Sequence, residues 1–310
     1  MKVGIIGAGL VGATAAYALI NQGIGREIIL VDLNQDRAEA EANDLRHAIP
    51  FTHPLLVQSG NYEDLEGSKI VIIAAGVGQK PGESRLELLS RNASVFRSII
   101  PEILKSSPEA LLLIATNPVD IMTHLAAQFA ADIGVPSSRV IGTGTTLDTA
   151  RFRSLLGHKL GVDPVHVHAY VLGEHGDSEV IPFSPVTIGN IPLKEFCDQW
   201  DICLDKHDML EIDRQVRNAA YEIIKGKGAT YYGVGSAIAK IVSVVLADQR
   251  AILTVCTKQE AAGVRDVTLS LPHLVGGRGI LNVLNIPLLS DEQNELQKSA
   301  RVIKNALDSI

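Results

Sequence analysis

The sequence predicts an α/β protein: a doubly wound parallel sheet in the first half, then an α+β domain. Apolar runs alternate with helix-prone segments in the first half, which indicates strands joined by right-handed crossover helices. The alternation is lost in the second half, where strands and helices fall in separate runs. A length of 310 residues suits two closely packed domains. We therefore predict one domain over residues 1–145 and a second over 146–310.

The N-terminal stretch from Lys2 to Leu33 carries the most informative motif. An apolar run leads into Gly7-Ala8-Gly9-Leu10-Val11-Gly12, and a helix of small residues follows. In this motif the first glycine makes a tight turn, the second lets the backbone approach a pyrophosphate, and the third lets helix and strand pack closely. The N–H groups at the helix N-terminus favour the same anion. The stretch predicts a Rossmann-type, dinucleotide-binding domain.

Asp32 ends the second apolar run, about 20 residues beyond the glycines, where a carboxylate can accept hydrogen bonds from the adenosine ribose. Its charge would repel the extra phosphate of NADP, so the sequence favours NAD. Arg37, five residues later, slightly weakens that exclusion. A bare glycine motif could be only a glycine-rich turn, but here strand, helix, second strand and acid all occur where the binding mechanism needs them.

Two later strands end in polar or glycine-rich segments. The run 70–74 is closed by Gly76-Val77-Gly78, and the run 111–115 by Thr116-Asn117-Pro118. Ligands of open α/β sheets bind beyond the carboxyl ends of the strands. We therefore expect these segments to converge with the glycine turn and Asp32 on one crevice.

The loop from Gln79 to Arg85 lies between those strands and carries three charges. Proline and glycine mark it as a loop, and a polar loop above a crevice is typical of a lid. A solvated connection is the alternative. An amphipathic helix follows, and Pro101 is expected to kink or end it.

The second half contains other recognisable segments. Residues 165–171 alternate in polarity, which predicts a strand with His166 and His168 on one face. Residues 209–225 and 232–246 have helical spacing, whereas 251–256 and 267–271 are typical of strands. Ser290 and Gln293 suggest a capping box at the start of a last helix.

Composition excludes several classes of protein. Hydrophobic residues make up 46% and charged residues 20% of the chain, and the net charge is −7 without a basic run, so no nucleic-acid surface is expected. No apolar stretch approaches a bilayer span, and we expect no signal peptide before the first strand. The three cysteines have no metal-binding spacing. These features favour a cytoplasmic protein without a metal site and without a membrane partner.

Three further motifs are more specific: Asn117-Pro118-Val119-Asp120, the segment Leu147-Asp148-Thr149-Ala150-Arg151-Phe152-Arg153, and Gly173-Glu174-His175-Gly176-Asp177. With the glycine motif they make the chain resemble bacterial members of the lactate/malate dehydrogenase family, from Lys2 to the C-terminal helix. The resemblance implies that NADH and pyruvate are interconverted with NAD and L-lactate by direct hydride transfer.

Reduction of a 2-oxo acid needs a proton donor, and His175 suits that role because a histidine pKa of about 6.5 lies near working pH. A structural role is commoner for any one of the nine histidines, but the motif around His175 favours catalysis. The resemblance implies that Asp148 orients the imidazole, with a buried ion pair as the alternative. It further implies that Arg151 clamps the substrate carboxylate and that Arg85 polarises the ketone when the lid closes.

The resemblance also supplies the remaining contacts. Asn117 is expected to touch both nicotinamide ribose and substrate, with a cis bond to Pro118. The substrate-binding set implied in this way is Gln79, Arg85, Asn117, Asp148, Arg151 and Thr230. The cofactor-binding set is Gly7, Gly9, Val11, Gly12, Asp32, Arg37, Tyr62, Gly76, Val77, Ser98, Ala115, Asn117 and Thr143.

Two alternatives to the interconversion of pyruvate and lactate stay open. Malate-specific members of the family carry arginine at the lid position that Gln79 occupies here, where it pairs with a second carboxylate. A neutral glutamine favours pyruvate over oxaloacetate. A non-catalytic NAD-binding sensor is the alternative from another class, although such a protein would not need His175, Asp148, Arg151 and Arg85.

Arg153 and His168 match the positions at which bacterial lactate-specific members of the family bind fructose 1,6-bisphosphate between subunits. The resemblance therefore implies a homotetramer that this activator could control, with the bisphosphate relieving repulsion between like charges. The alternative is that both are ordinary surface or interface residues.

Overall fold

A computed structural model describes residues 1–78, 82 and 85–309, Arg85 by its backbone alone. The first half alternates strands with helices, as the sequence predicts. Its strands are β1 (Lys2–Ile6), β2 (Glu27–Val31), β3 (Leu56–Ser59), β4 (Ser68–Ile73), β5 (Leu111–Ile114) and β6 (Val140–Gly142). Its helices are α1 (Leu10–Gln22), α2 (Gln35–Ala48), α3 (Arg85–Ser106) and α4 (Val119–Ala131).

These six strands are parallel and lie side by side in the order β3-β2-β1-β4-β5-β6. Alternate residues of each strand enter opposite layers of the core: Ile70 and Ile72 of β4 pack with α1, whereas Val71 and Ile73 pack with α3 and α4. Because helices cover both faces, most strand residues are apolar and buried, and the exceptions lie in β3 and at the strand starts. The predicted doubly wound sheet is confirmed.

The second half adds helices and antiparallel strands, which confirms its α+β character. Its helices are α5 (Thr146–Leu160), α6 (Leu193–Trp200), α7 (Lys206–Lys227), α8 (Tyr232–Leu246) and α9 (Ser290–Leu307). Its strands are β7 (Val167–His168), β8 (Thr187–Ile188), β9 (Ile191–Pro192), β10 (Ala251–Leu253), β11 (Cys256–Ala261), β12 (Val264–Ser270), β13 (His273–Gly276) and β14 (Gly279–Val283).

The two halves share one sheet. Strand β11 pairs with β6 through Cys256 and Gly142, and the hairpin β11–β12 extends the parallel sheet with two antiparallel strands. Helix α8 also enters the core layer formed by α1. The remaining strands form two small sheets, β7-β8-β9 and β10-β13-β14. The predicted boundary near residue 145 falls between β6 and α5 and stays a prediction.

Two local predictions were wrong, and a third, that Pro101 would kink or end its helix, was wrong about the end. The alternating segment 165–171 forms a strand only at Val167–His168, because residues 164–166 turn as a 3₁₀ helix, so His166 is not on that strand. Pro101 does not end α3, which runs to Ser106 with Ile100 and Ile103 buried on either side of the proline. Burial of this face offsets the missing backbone hydrogen bond.

The capping prediction for the last helix was also wrong. Ser290 is the first residue of α9, so it cannot cap the helix from the position before it. Glu292 instead accepts a hydrogen bond from the backbone N–H of Leu289 at 2.8 Å. Among the helices that the structure describes, none combines the length and the apolar character that crossing a membrane would require.

Candidate active site

A crevice of about 590 Å³ opens beyond the carboxyl ends of β1, β2 and β4. This is where the strand order of the sheet predicts a ligand. Eight of the predicted cofactor residues line it: Gly7, Gly9, Asp32, Arg37, Tyr62, Gly76, Val77 and Ser98.

The glycine turn leaves room for a ligand at the point where the motif requires it. Gly7 has φ = +98°, which side chains of L-residues rarely adopt, and a Cβ there would meet the backbone of Ala75 at 2.6 Å. A Cβ on Gly12 would lie 1.9 Å from the Gly7 carbonyl oxygen, whereas nothing lies within 4 Å of one on Gly9. The turn is therefore tight behind Gly9 and open in front of it, which fits a pyrophosphate above the N-terminus of α1.

Asp32 lines the crevice and also holds the glycine turn in place. Its Oδ2 accepts a hydrogen bond from the backbone N–H of Ala8 at 2.7 Å, and its Oδ1 accepts one from Asn34 at 2.9 Å. Each oxygen retains a further acceptor site for a ribose hydroxyl. The Arg37 guanidinium lies 3.9 Å from Glu41, an acid one helical turn further along α2.

Five predicted cofactor residues are outside the lining of this crevice: Val11, Gly12, Ala115, Asn117 and Thr143. Ala115 and Thr143 continue the sheet past the ends of β5 and β6, since their N–H groups donate to Ile73 and Ile114. Asn117 precedes α4, accepts a hydrogen bond from the Val119 N–H at 3.2 Å and is joined to Pro118 by a cis bond, as the resemblance implied.

His175, Asp148 and Arg151 form one hydrogen-bonded cluster. The imidazole Nδ1 of His175 lies 2.6 Å from Asp148 Oδ2, and Arg151 Nη1 donates to Asp148 Oδ1 at 2.7 Å. Asp148 is 2% exposed, in the first turn of α5, whereas the His175 side chain is 26% exposed. The buried carboxylate thus holds the more accessible imidazole by its Nδ1.

Two opposing effects set the proton affinity of this cluster. Burial by itself would lower the pKa of His175, but the charge and hydrogen bond of Asp148 outweigh burial and raise that pKa to about 9. Burial would raise the pKa of Asp148, whereas His175 and Arg151 hold it below its ordinary value. The favoured state near neutral pH is an imidazolium paired with a carboxylate.

Residues 173–179, hereafter the His175 loop, are held from several sides. Gly173 exchanges two backbone hydrogen bonds with Ser270, and Ser299 Oγ accepts from the Glu174 N–H at 2.9 Å. Arg217 of α7 donates to the carbonyl oxygen of Glu179 at 2.6 Å. These contacts connect the loop to β12, α9 and α7, so the position of His175 depends on distant parts of the chain.

Glu179 is a site residue that the sequence analysis missed. It is 4% exposed, its carboxylate lies within 4.8 Å of Asp148 and His175 ligand atoms, and its Oε1 has no hydrogen-bond partner among the described residues. Burial, followed by the charge of Asp148, raises the pKa of Glu179 to about 8. Its place four residues after His175 was the available signal.

The crevice has further polar lining residues that were not predicted, Gln35 and Asn61, which bond to each other at 3.0 Å. Asn61 closely follows β3, so the rule that ligands lie beyond strand ends would have found it. Of the predicted substrate residues, Thr230 is half-buried between α7 and α8. Gln79 and the Arg85 side chain lie outside the described residues.

Arg153 and His168 lie on neighbouring elements, α5 and β7. Arg153 Nε donates to the Ala169 carbonyl oxygen at 2.9 Å, and its guanidinium lies 5.2 Å from the centre of the Tyr170 ring. His168 is exposed. The arginine is therefore anchored to the segment that directly follows the exposed His168.

Sequence comparison finds that the chain matches two protein-family models. The model of the lactate/malate dehydrogenase NAD-binding domain matches residues 1–142. The model of the lactate/malate dehydrogenase alpha/beta C-terminal domain matches residues 145–310. Together the two models account for almost the whole chain.

Individual relatives agree with the family models. An L-lactate dehydrogenase of Geotalea daltonii is 58% identical across 100% of this chain and 99% of its own, and one of Thermus aquaticus is 51% identical with the same coverage. The crystal structure of a minor L-lactate dehydrogenase from Enterococcus mundtii superposes with a TM-score of 0.95 at 41% identity, covering 100% of this chain and 98% of that one.

Proposed function

The chain belongs to the lactate/malate dehydrogenase family, and we propose that it reduces pyruvate to L-lactate with NADH and also catalyses the reverse oxidation. It is an NAD-dependent oxidoreductase with a Rossmann-type domain. The cluster of His175, Asp148 and Arg151 carries the proposal, because it offers a proton donor, a partner for that donor and a carboxylate clamp in one half-buried site.

His175 is the proposed acid. When it is bound, NADH supplies the hydride that pyruvate receives at its carbonyl carbon. The carbonyl oxygen then needs a proton, and the imidazolium presents one at Nε2, because Nδ1 is held by Asp148. Asp148 stabilises the charged ring and fixes its orientation, as a carboxylate does in a catalytic triad. In the oxidation of lactate His175 takes the proton back.

Arg151 is the proposed clamp for the substrate carboxylate. Its Nη1 donates to Asp148 Oδ1 at 2.7 Å, which anchors one nitrogen of the guanidinium. The remaining N–H groups suit two parallel hydrogen bonds to a carboxylate, a geometry that lysine cannot supply. Binding the substrate next to His175 places its carbonyl oxygen beside the proton donor.

Several roles are proposed from the family resemblance together with the position along the chain. Arg85 polarises the carbonyl, and Gln79 leaves room for the methyl group of pyruvate. Thr230 lies beside that methyl group, and Asn117 contacts both substrate and nicotinamide ribose. The predicted cofactor residues bind NAD: the glycine turn takes the pyrophosphate and Asp32 takes the adenosine ribose.

The direct test is oxidation of NADH, followed by absorbance, with pyruvate or oxaloacetate as the substrate. We expect turnover with pyruvate and much weaker turnover with oxaloacetate. A preference for oxaloacetate would make the enzyme a malate dehydrogenase. NADH binding without turnover of either substrate would favour the sensor alternative.

We further propose a homotetramer that responds to fructose 1,6-bisphosphate through Arg153 and His168. The exposed imidazole and the anchored guanidinium lie on adjacent elements, and Arg153 is two residues beyond Arg151 on α5. An anion bound there would therefore act on the substrate clamp through about half a turn of helix. Acting on pyruvate at the end of glycolysis, the enzyme would work in the cytoplasm, which fits its three free cysteines.

A further inference from the structure

Asp120 connects the NAD-binding half of the chain to the backbone of His175. It is the second residue of α4, it is 3% exposed, and it lies 55 positions before His175 in the chain. Its Oδ2 accepts a hydrogen bond from the backbone N–H of His175 at 2.7 Å. A short bond from a carboxylate to a backbone N–H is among the stronger protein hydrogen bonds.

The first turn of α4 also contacts a second residue of the proposed site. Asn117 lies two residues before the first residue of α4, and its side chain accepts a hydrogen bond from the Val119 N–H, so its orientation is tied to that turn. Asn117 is the proposed contact for the nicotinamide ribose and the substrate. The first turn of α4 therefore sets how far the nicotinamide side of the site lies from the proton donor.

A carboxylate is a costly way to make this hydrogen bond. Buried charges are unfavourable unless they are paired, and a neutral oxygen could also accept from the His175 N–H. Asp120 Oδ1 has no hydrogen-bond partner of ordinary geometry among the described residues, although the buried thiol of Cys256 faces the carboxylate and helps to hold the pKa of Asp120 down. The group of opposite charge that acts on Asp120 is the His175 imidazolium.

We propose that Asp120 is a positioning residue for the reaction: its carboxylate fixes the backbone of His175 and its negative charge stabilises the protonated imidazole. This inference rests on the proposed function, because it assigns Asp120 to the step in which His175 gives its proton to pyruvate. Asp148, on α5, orients the imidazole ring of His175, whereas Asp120, on α4, holds the backbone N–H of the same residue.

The charges around both groups are consistent with this role. Burial raises the pKa of Asp120 to about 6 while the His175 hydrogen bond and charge oppose that rise, so Asp120 is ionised near neutral pH. Asp120 is one of the acids that raise the pKa of His175, after Asp148. The other titratable or charged groups facing the pair are Arg151 on α5, Glu174 and Glu179 in the His175 loop, Arg217 on α7 and Cys256 on β11.

The test compares wild type with Asp120→Asn and Asp120→Ala, using Thr123→Val as the matched control. Thr123 is buried one turn further along α4, and its hydroxyl contacts Cys256 at 3.6 Å rather than the His175 backbone. For each protein, kcat and KM for pyruvate are measured across pH, and NADH affinity is measured by fluorescence.

Asp120→Asn retains an oxygen acceptor but loses the charge. We expect the alkaline limb of kcat/KM for pyruvate to move to lower pH by about half a unit to one unit, with kcat at low pH nearly unchanged. Asp120→Ala also loses the acceptor, so kcat should fall about tenfold or more at every pH, because a misplaced donor is a poor catalyst. NADH affinity should stay within about twofold of wild type in both, since the NAD contacts are intact.

An unshifted limb in Asp120→Asn, or unchanged kcat in Asp120→Ala, would overturn the inference. So would the loss of NADH binding and of a cooperative thermal transition in both variants, because the carboxylate would then be required for folding. If wild type itself fails to oxidise NADH with pyruvate, the proposed function falls. If wild type is active but the Asp120 variants show neither a shifted alkaline limb nor a lower kcat, only the positioning role is removed.

Discussion

Asp148 Oδ1 accepts a hydrogen bond from Arg151 at 2.7 Å, and Asp148 Oδ2 lies 2.6 Å from His175 Nδ1. One buried carboxylate therefore contacts both the proposed clamp and the proposed acid. The two functions cannot be altered independently through Asp148. Substitutions at His175 and Arg151 themselves are therefore the way to separate proton transfer from substrate binding.

The pH dependence of the reaction should report the His175–Asp148 pair. Asp148 raises the pKa of His175 to about 9, so the imidazolium needed for pyruvate reduction persists well above neutral pH. We expect kcat/KM for pyruvate to be level near neutrality and to fall through about pH 9, while kcat/KM for lactate rises over the same range. Initial rates in both directions across pH measure this directly.

His175→Ala is the control for that profile. Without the imidazole, the changes near pH 9 in kcat/KM for pyruvate and in kcat/KM for lactate should both vanish, and turnover should collapse. NADH binding should stay nearly intact, because the dinucleotide crevice is built from the first half of the chain. Retention of most turnover would show that another group transfers the proton.

Arg151→Lys should weaken pyruvate binding and leave NADH binding unchanged. The lysine keeps the charge but cannot form two parallel hydrogen bonds with the substrate carboxylate, a loss on the order of a few kcal/mol, or about a hundredfold in KM. Steady-state kinetics give the value. The matched control is Arg214→Lys on the exposed side of α7, where the arginine pairs with Glu211. Equal effects from the two substitutions would argue against a clamp at Arg151.

Gln79→Arg should shift preference from pyruvate towards oxaloacetate by orders of magnitude. The added guanidinium would pair with the second carboxylate of oxaloacetate, which a neutral glutamine leaves unpaired in a closed site. The ratio of kcat/KM for the two substrates is the measurement. Gln79→Lys separates the effect of charge from that of guanidinium geometry. An unaltered ratio in both variants would place Gln79 away from the substrate.

Fructose 1,6-bisphosphate should lower the apparent KM for pyruvate at dilute enzyme, because a bisphosphate bound between subunits would favour their assembly. Arg153→Gln should abolish the response while sparing turnover at saturating pyruvate. Sedimentation at the same enzyme concentration shows whether the bisphosphate also drives assembly. A wild type that is already tetrameric and does not respond would exclude a working switch at this site.

His124 predicts an acid-sensitive stability. It lies on α4, is buried against β12 and bonds to Thr268 at 3.0 Å. Burial together with Lys258 lowers its pKa to about 4 despite the nearby Asp266. The folded pKa lies below the unfolded value of 6.5, so the unfolded chain takes up the proton first. The stabilising contribution of neutral His124 is full above about pH 6.5 and is lost as pH falls towards 4.

Urea unfolding of wild type and His124→Gln at pH 7 and pH 5 measures this contribution. The difference in unfolding free energy between the two proteins should shrink by about 2 kcal/mol at the lower pH. His47→Gln is the control, since His47 is exposed on α2 and remains solvated on unfolding. A pH-independent difference for His124→Gln would contradict the prediction.

The sequence was most informative where one physical requirement dominates. Strands buried on both faces must be apolar throughout, so β1, β2, β4 and β5 were visible as runs, and their ends located the crevice. Local patterns were misleading where tertiary packing decides. The alternation of residues 165–171 competes with the turn after Asp163, whose side chain bonds to the Val165 N–H at 2.9 Å. That bond favours the 3₁₀ turn over a longer strand.

Motifs and the family resemblance could propose site residues, whereas residues that only the fold brings to the site were missed. The importance of Asp120 depends on a bond across 55 positions of sequence, which no local spacing reveals. Glu179 lies within the His175 loop, but its burial depends on packing by distant elements. His175 and Asp148 were proposed from their motifs and the family resemblance, and the structure brings their side chains to 2.6 Å.

The shared sheet has a consequence for the autonomy of the two halves. A fragment of residues 1–142 would leave the outer side of β6 without its neighbour β11, presenting unpaired backbone groups on an apolar strand to other chains. It would also uncover the face of α1 that α8 occupies. Such a fragment is expected to aggregate rather than fold independently, so gene truncation, circular permutation or fusion should spare the junction between β6 and β11.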